Sequence, residues 1–415
     1  MAVVFADRMQ SLRASEIREI LKITQRPEVI SFAGGLPAPE VFPVAELQQV
    51  MARVLQEAGS RALQYSTTEG LDDLRRLIAA RLGSKLAVHV DFDDILITQG
   101  SQQALDLAGR LFLDKGSIVL CESPTYLAAI SAFKAYQPQF VEVPTDEAGM
   151  DIGELEKILR TTAGVRLIYI IPDFQNPTGR TWSLERRRQF ARLVGEYEIP
   201  VVEDNAYGEL RFEGDHLPAV KASDPKGLIT FVSTFSKTMC PGMRLGWLAA
   251  APQLLEKYVL LKQGMDLHTS SLNQWAVAKF LELYDYDAHI QKIIQIYKSR
   301  RDVMIAALEE YFPPAARFTR PQGGLFTWVE LPGQINAVEL LRQSLALDVA
   351  FVPGDSFFPN GGVTNTLRLN YSNMPPERIR EGIRRLATAI DHYPGRRRDL
   401  AGYTPSTFPP KCHIP

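Results

Sequence analysis

One lysine, Lys237, lies in a stretch whose residue types suit covalent binding of a phosphate-bearing aldehyde. Hydroxyl side chains flank it, and an arginine follows seven residues later in the run STFSKTMCPGMR over residues 233–244. The apolar run at 229–232 predicts a buried β-strand, so Lys237 is expected on the turn at the strand's carboxyl end, where α/β sheets bind ligands. An amine in such surroundings has a lowered pKa and condenses with aldehydes. Taken alone, Lys237 is more simply interpreted as a solvated surface charge.

Side chains that suit a phosphate occur at two places. Ser101 and Gln102 follow a glycine at the start of a predicted helix, where free backbone N–H groups favour an anion. Near the lysine, Thr234 and Ser236 add hydroxyl donors, and Arg244 can bind a phosphate through two parallel hydrogen bonds. The alternatives are a plain helix N-cap at Ser101 and a surface ion pair at Arg244.

Two further strand ends carry polar groups that suit a heteroaromatic ring. The turn PDFQNPTG at 172–179 presents the amide of Asn176, and the apolar run at 199–203 leads into Asp204, with Tyr207 three residues on. A carboxylate at the rim of the sheet suits a protonated ring nitrogen. Ordinary turn chemistry explains Asn176 equally well in isolation, and a helix cap explains Asp204. Because the carboxyl ends of parallel strands share one edge, these segments are expected to form one pocket.

The order of elements predicts an α/β fold with a mostly parallel, doubly wound sheet. From residue 45 onward, helical periodicity alternates with short β-rich runs. Strands are predicted at 95–98, 117–121, 140–143, 166–171, 200–203 and 229–232. A long amphipathic pattern at 288–311 leads into a mixture of strands and helices over 313–392, which is typical of a smaller α+β domain.

Composition narrows the class of protein further. The chain has 415 residues, 46% of them hydrophobic and 23% charged, with a formal net charge of −2. It therefore has no overall basic field for nucleic acid. Its three cysteines and six histidines show no metal-ligand spacing, so no metal site is expected. No apolar run reaches the length of a membrane span, and no signal peptide is visible, so a cytoplasmic protein is expected.

Taken together, the motifs resemble a known family. The chain is similar from about residue 31 to residue 390 to the fold type I, pyridoxal-phosphate-dependent aminotransferases of class I/II, most of all to their 2-aminoadipate and kynurenine branch. The likeness rests on seven segments in a fixed order: 31–37 (SFAGGLP), 64–70 (QYSTTEG), 98–105 (TQGSQQAL), 175–179 (QNPTG), 202–207 (VEDNAY), 236–244 (SKTMCPGMR) and 365–371 (NTLRLNY). Coincidence does not account for all seven.

The resemblance implies a role for each matched residue. Lys237 would be the Schiff-base lysine of pyridoxal 5'-phosphate (PLP), and Asp204 would pair with the ring nitrogen. Tyr207 and Asn176 would hydrogen-bond the ring oxygen, and Tyr126 would stack on the ring. Asp204 and Tyr207 count with Lys237 among the expected catalytic residues.

The remaining implied roles concern the phosphate and the substrate. The expected phosphate and nearby cofactor contacts are Ser101, Gln102, Thr234, Ser236, Arg244 and, from the other subunit of a homodimer, Tyr65. Arg368 would bind the substrate's α-carboxylate, and the other expected substrate contacts are Asn176, Gly34, Tyr65 and Arg18. Thr234 departs from the serine that relatives commonly have, and Asn205 stands where many have a second acid.

The resemblance also implies a three-layer PLP-dependent transferase fold and a division of the chain. Residues 1–44 would form an N-terminal arm and substrate-gating helix, 45–287 the large PLP-binding domain, 288–392 the small domain and 393–415 a Pro-rich tail. The partners would be amino acids and 2-oxo acids together with a second copy of the chain. The Asn176–Pro177 bond is predicted to be cis, because the turn must present its amide to the ring.

The expected reaction moves an amino group from an L-amino acid to a 2-oxo acid such as 2-oxoglutarate by ping-pong kinetics. Within the helical pattern at 14–22, Arg18 matches the position that receives a distal carboxylate, so 2-aminoadipate and glutamate are favoured, with leucine and aromatic donors also considered. A solvated charge is the alternative for Arg18. The rival functions are a fold type I decarboxylase or lyase and a transcription regulator, the latter disfavoured because only some thirty residues precede the motifs.

Overall fold

The computed structural model describes residues 3–10 and 26–394. In this part of the chain the α-helices are α1 (Val44–Ala62), α2 (Asp72–Leu86), α3 (Ser101–Phe112), α4 (Leu127–Lys134), α5 (Ile152–Thr161), α6 (Leu184–Tyr197), α7 (Pro252–Gln263), α8 (Ser271–Leu283), α9 (Tyr286–Tyr311), α10 (Ala337–Leu345) and α11 (Pro376–Asp391). The strands are β1 (Ile30–Ser31), β2 (Ile95–Thr98), β3 (Ile118–Ser123), β4 (Gln139–Asp146), β5 (Gly149–Met150), β6 (Val165–Ile170), β7 (Val201–Asp204), β8 (Ile229–Thr234), β9 (Gly246–Ala249), β10 (Arg317–Phe318), β11 (Phe326–Glu330), β12 (Val349–Ala350), β13 (Val352–Pro353) and β14 (Thr366–Asn370).

An eight-stranded sheet organises the larger half of the described chain. Its strand order is β2-β9-β8-β7-β6-β3-β4-β5. The neighbours from β8 through β4 pair in parallel, whereas β9 is antiparallel to both β2 and β8. The predicted mostly parallel sheet is confirmed. Strand β9 was not predicted, because four residues that begin with glycine carry too little β-pattern to stand out.

Helices cover both faces of this sheet, which gives the predicted three layers. Side chains alternate between the faces of a strand, so Leu167 and Tyr169 of β6 pack into a core with α3, α4 and α7. Their neighbours Ile168 and Ile170 pack into the opposite core with α5 and α6. The sequence of β6 is apolar at nearly every position because both of its faces are buried.

A second, antiparallel sheet with the order β10-β11-β14-β13 lies in the C-terminal part. Helices α9, α10 and α11 share its core. Strand β1 pairs in parallel with β12, so the segment that leads into α1 is attached to this second half. The mixed α+β character of this region agrees with the sequence pattern, and the boundaries near residues 44, 287 and 392 stay predictions.

The parallel strands β2, β3, β6, β7 and β8 all end at one edge of the large sheet, and this edge carries the predicted motifs. The predicted gating helix at 14–22 lies outside the described residues, as does the tail beyond residue 394. Within the described ranges, no helix combines the length and apolar character needed to cross a membrane.

Candidate active site

A cavity of about 150 Å³ lies at the carboxyl edge of the sheet. It is lined by ten of the residues assigned to the cofactor: Ser101, Gln102, Tyr126, Asn176, Asp204, Tyr207, Thr234, Ser236, Lys237 and Arg244. Ile171, Ala206 and Pro241 complete its wall and were not predicted. The fold thus gathers segments from five strand ends into one chamber.

Lys237 lies on the turn that follows β8, as predicted, and its side chain is partly buried. Its Nζ donates a hydrogen bond to the carbonyl of Gly35, 2.9 Å away. Desolvation, together with the positive charges of Arg368 and Arg244, lowers the pKa of the amine to about 8, and Asp204 acts in the opposite direction. A substantial fraction of this amine is therefore neutral, and nucleophilic, near neutral pH.

Asp204 is the last residue of β7, and its carboxylate is buried with only one hydrogen-bonded oxygen. Oδ2 accepts from the hydroxyl of Tyr169 at 2.8 Å, whereas Oδ1 is buried without a hydrogen-bond partner. Burial raises the pKa of the carboxyl to about 6, and the Tyr169 bond and Lys237 act in the opposite direction. A buried acceptor that lacks a donor costs free energy, and a ligand N–H that donates to Oδ1 would remove this cost.

In the wall of the cavity, the start of α3 lies next to Arg244. The backbone of Gly100 has φ +69°, and a Cβ at this position would lie 2.8 Å from a guanidinium nitrogen of Arg244. The guanidinium itself makes only marginal contacts, at 3.4 and 3.5 Å, with the carbonyls of Gln99 and Pro241. A helix N-terminus facing a weakly held arginine favours an anion such as a phosphate group.

Asn176 and Tyr207, which also line the cavity, contact each other. The Asn176 amide nitrogen lies 3.4 Å from the Tyr207 hydroxyl, to which it donates. The Asn176–Pro177 bond is cis, which confirms the prediction, and Ser123–Pro124 is a second cis bond that was not predicted. Burial raises the pKa of Tyr207, so its phenol stays protonated and remains a hydrogen-bond donor.

Arg368 projects from β14 and is 2% exposed. Its guanidinium donates to Asn176 Oδ1 at 2.8 Å and to the carbonyl of Ala33 at 2.6 Å, and its Nε is buried without a partner. The charge lies 4.2 Å from the ring centroid of Phe326, within range for a cation–π contact. Burial lowers the pKa of Arg368 to about 10. Among the residues that the structure describes, no carboxylate is hydrogen-bonded to this buried cation, so it is suited to an anionic substrate group.

Of the predicted site residues that the structure describes, three are not part of the cavity wall: Arg368, Tyr65 and Gly34. Tyr65 is 78% exposed, and its ring packs edge-on against His268 at 5.8 Å. Gly34 is buried between Ala33 and Gly35, whose carbonyls bind Arg368 and Lys237, so its neighbours make the contacts rather than Gly34 itself. Arg18 lies outside the described residues.

The sequence did not single out Tyr169, although this residue holds the Asp204 carboxylate. Tyr169 looked like one more apolar member of a buried strand. The sequence alone gave no signal for this contact, because it depends on the register that pairs Tyr169 with Val202 and so brings Asp204, on the face of Val202, next to Tyr169. A buried tyrosine needs a partner for its hydroxyl, and a carboxylate on the same face provides one.

These residues fit PLP group by group. The lowered pKa of Lys237 suits attack on the aldehyde, and the unpaired Oδ1 of Asp204 suits the ring nitrogen. The phenol of Tyr207 suits the ring oxygen, and the helix start at Ser101 with Arg244 suits the phosphate. The donor set therefore accommodates the cofactor that the resemblance implies.

Comparison with known proteins agrees with the fit of these residues to PLP. The family model described as aminotransferase class I and II matches residues 31–386. The chain is 45% identical over 383 residues to the 2-aminoadipate transaminase of Thermus thermophilus, covering 91% of this chain and 94% of the relative. It is 44% identical over 390 residues to aromatic-amino-acid aminotransferase 1 of Thermococcus litoralis, covering 93% and 94% of the two chains.

Among solved structures, the chain is similar to the kynurenine aminotransferase of Pyrococcus horikoshii in complex with PMP, KYN and KYA. The TM-score is 0.90 at 40% identity, and the match covers 93% of this chain and 96% of that one. The similarity therefore extends over both sheets and the cavity at the edge of the larger one.

Proposed function

The chain belongs to the aminotransferase class I and II family, and on that premise we propose that it transfers the amino group of an L-amino acid such as 2-aminoadipate or glutamate to a 2-oxo acid, with 2-oxoglutarate as the acceptor for donors other than glutamate. Leucine and aromatic amino acids are included as further donors. The protein is a PLP-dependent aminotransferase, and relatives at 44–45% identity are named for 2-aminoadipate and for aromatic amino acids. The observation that carries the proposal is the buried Arg368, whose positive charge lies close to Lys237 and has no hydrogen-bonded carboxylate within residues 3–10 and 26–394.

We assign the cofactor contacts as follows. The Asp204 carboxylate accepts a charge-assisted hydrogen bond from the ring nitrogen through Oδ1, while Tyr169 holds Oδ2. Tyr207 and Asn176 donate to the ring oxygen. Tyr126, which immediately precedes α4 and lines the cavity, packs against the ring.

The phosphate contacts lie at the other end of the cavity. Ser101 and Gln102 offer backbone N–H groups at the start of α3. Thr234 and Ser236 hydrogen-bond each other at 2.9 Å, so one of the two hydroxyls is oriented by its neighbour before the ligand arrives. Arg244 supplies the positive charge.

Lys237 is the base that moves the substrate's proton. When bound, PLP supplies an electron sink that acidifies the bond between the substrate's Cα and its hydrogen. An amine with a pKa of about 8 is neutral in roughly one molecule in four at pH 7.5, against roughly one in a thousand for an unperturbed lysine. Nζ therefore takes the proton from Cα of the amino acid and, in the second half-reaction, returns a proton to Cα of the product.

Arg368 orients both substrates, because an amino acid and a 2-oxo acid share the α-carboxylate. Its guanidinium is held by Asn176 and Ala33, which fixes the direction of its remaining N–H groups. Each hydrogen bond to the carboxylate contributes about 1.5–3 kcal/mol. The two half-reactions thus use one site in turn, which predicts ping-pong kinetics.

A panel of amino donors with 2-oxoglutarate, read by glutamate formation, tests the proposed substrates. 2-Aminoadipate should give the highest kcat/KM, with leucine and aromatic donors also accepted, and a panel without turnover would refute the proposal. Incubation with the amino acid alone separates transamination from decarboxylation. A transaminase stops after one equivalent per site, whereas continuous release of carbon dioxide would indicate a decarboxylase.

The choice between acidic and apolar donors is proposed to depend on Arg18. Arg18→Ala should raise the KM for 2-aminoadipate and glutamate and leave that for leucine unchanged, because only the first two have a distal carboxylate. Lys22→Ala, in the same predicted helix, is the control. An equal loss on leucine would show that Arg18 does not bind the distal carboxylate.

We also propose a cytoplasmic homodimer in which Tyr65 contributes to the partner's phosphate site. In support, Tyr65 is 78% exposed next to the exposed Leu63, and its ring partner His268 follows the exposed Leu267. Light scattering should give twice the 46.4 kDa mass of the chain. Mixing inactive Lys237→Ala subunits with inactive Tyr65→Ala subunits should restore part of the activity, and no recovery would contradict a shared site.

A further inference from the structure

Asn205 occupies the position between two proposed cofactor contacts, Asp204 and Tyr207, and is 2% exposed. Its backbone is attached to the neighbouring strand β8 from both sides. The N–H donates to the carbonyl of Val232 at 2.8 Å, and the C=O accepts from the hydroxyl of Ser233 at 2.7 Å. Asn205 therefore connects the end of β7 to the strand that leads to the active-site lysine.

The side chain of Asn205 uses both ends of its amide. Oδ1 accepts from the backbone N–H of Gly208 at 3.1 Å, and Nδ2 donates to Oδ2 of Asp173 at 2.9 Å. A Cβ at position 208 would lie only 2.2 Å from Oδ1, so glycine is required there for this approach. An amide is the group that can accept from one neighbour and donate to the other.

Asp173 is a buried carboxylate, 2% exposed, in the turn that also carries Asn176. Its charge is compensated by Arg187, which donates to both carboxylate oxygens at 2.7 and 3.0 Å. Arg211 approaches one of them at 3.4 Å. The Asn205 amide completes the set of donors around this carboxylate without adding a charge.

We propose that Asp173 and Asn205 form a positioning pair. The pair holds the Asn176 turn, the Asp204 carboxylate and Tyr207 in the positions from which they contact the cofactor. The pair consists of one carboxylate and one amide, and the hydrogen bond between them needs one of each. Neither residue touches the cavity, so the pair acts through its neighbours.

The requirement for one carboxylate and one amide predicts how single and double substitutions at these two positions affect the pair. Asn205→Asp keeps the shape and the acceptor for Gly208, but it replaces the donor by a second carboxylate 2.9 Å from the first. Like charges at this distance repel and disfavour the doubly ionised form. Adding Asp173→Asn to Asn205→Asp restores one carboxylate and one amide with their positions exchanged, and it leaves the total charge of the cluster as in the native chain.

The test measures PLP binding to the cofactor-free full chain by the absorbance of the bound cofactor. Asn205→Asp should raise the Kd for PLP by about tenfold or more, because a hydrogen bond to a charged group is lost. The Asp173→Asn/Asn205→Asp double variant should recover part of this loss, because the bond between the two side chains reforms while one Arg187 N–H loses its acceptor at residue 173. Asn336→Asp, at the half-buried N-cap of α10, is the matched control and should leave the Kd unchanged.

A native Kd in Asn205→Asp, or a double variant no better than the single one, would overturn the pair as a positioning element. If the double variant does not fold, Asn205→Ala decides the matter, because it removes both side-chain bonds and should also weaken binding by about tenfold or more. Unchanged affinity in Asn205→Ala likewise overturns the inference. Because the pair's role rests on the proposed function, PLP binding to the native protein is measured first. If the native protein binds no PLP, the proposed function and the positioning pair are both refuted. If the native protein binds PLP and the variants bind it equally well, only the positioning pair is refuted.

Discussion

Replacing Tyr169 by phenylalanine removes a single hydroxyl that bonds the Asp204 carboxylate at 2.8 Å. Both residues are buried, with 1% and 4% exposure, so water does not substitute for the lost donor. The Tyr169 bond lowers the pKa of Asp204, which burial raises to about 6. Its loss therefore raises that pKa further and favours the neutral carboxyl, which is a poorer acceptor for the protonated ring nitrogen.

The size of the effect follows from the strength of the bond. A hydrogen bond to a charged group contributes about 1.5–3 kcal/mol, which corresponds to a shift of about one to two pKa units. The pKa of Asp204 would then rise from about 6 to about 7–8. The ionised form exists above the pKa and is lost as the pH falls through it, so at pH 7 the ionised fraction drops by about two- to tenfold. At pH 8.5 the deficit shrinks to less than about 1.5-fold.

Titration of the cofactor-free protein with PLP between pH 6 and 9 measures this difference. The Tyr169→Phe variant should bind more weakly than the native protein at low pH and approach it at high pH. Tyr258→Phe is the control, because this tyrosine is equally buried in the same core and its hydroxyl lies 3.3 Å from Thr230, away from the cavity. A deficit of equal size at every pH, or no deficit, would refute the assigned role of Tyr169.

Three further outcomes are expected. Arg368→Gln should raise the KM for the amino acid and for the 2-oxo acid alike by about tenfold to a hundredfold, since a charged hydrogen bond is lost in each complex. In steady-state kinetics, a change in the KM of one substrate alone would contradict a shared carboxylate site. The same variant removes a positive charge that lowers the pKa of Lys237, so the pKa of Lys237 should rise above about 8. The pH dependence of the rate of PLP attachment measures this pKa, and an unchanged value would count against an electrostatic effect of Arg368 on Lys237. Lys262→Met should lower the free energy of unfolding by about 1–3 kcal/mol in urea titrations, because Asp266 and Gln103 lose a buried partner; unaltered stability would show that the cluster contributes little.

Local patterns were sufficient to locate most of the site. Lys237, Asp204 and Asn176 each follow an apolar run with a distinct composition, and the shared direction of parallel strands brings such ends together without knowledge of the packing. The fold class follows from the same alternation of helices and strands. The predicted strand at 229–232 and the observed β8 (Ile229–Thr234) begin at the same residue.

The site features that the sequence did not show depend on contacts between segments that are distant in the chain. The bond from Tyr169 to Asp204 requires the register of β6 against β7. The carbonyl of Gly35 reaches Lys237 across 202 residues of chain, and a backbone acceptor has no side-chain signature at all. Tyr65 illustrates a further limit, since its assignment refers to a second subunit and its exposure in one chain does not reveal the partner surface.

The segment at 33–35 binds the two side chains that the reaction needs most. Ala33 accepts from Arg368, and Gly35 accepts from Lys237. A cofactor aldehyde must therefore compete with the Gly35 carbonyl for the lysine amine, and the observed affinity for PLP is the difference between the bond gained and the bond surrendered. A substrate carboxylate meets no such competition, because it binds N–H groups of Arg368 other than the one that Ala33 holds. As the cofactor binds, Gly35 loses a donor while Ala33 keeps its own, so the attachment of this segment is expected to weaken at Gly35 and to persist at Ala33.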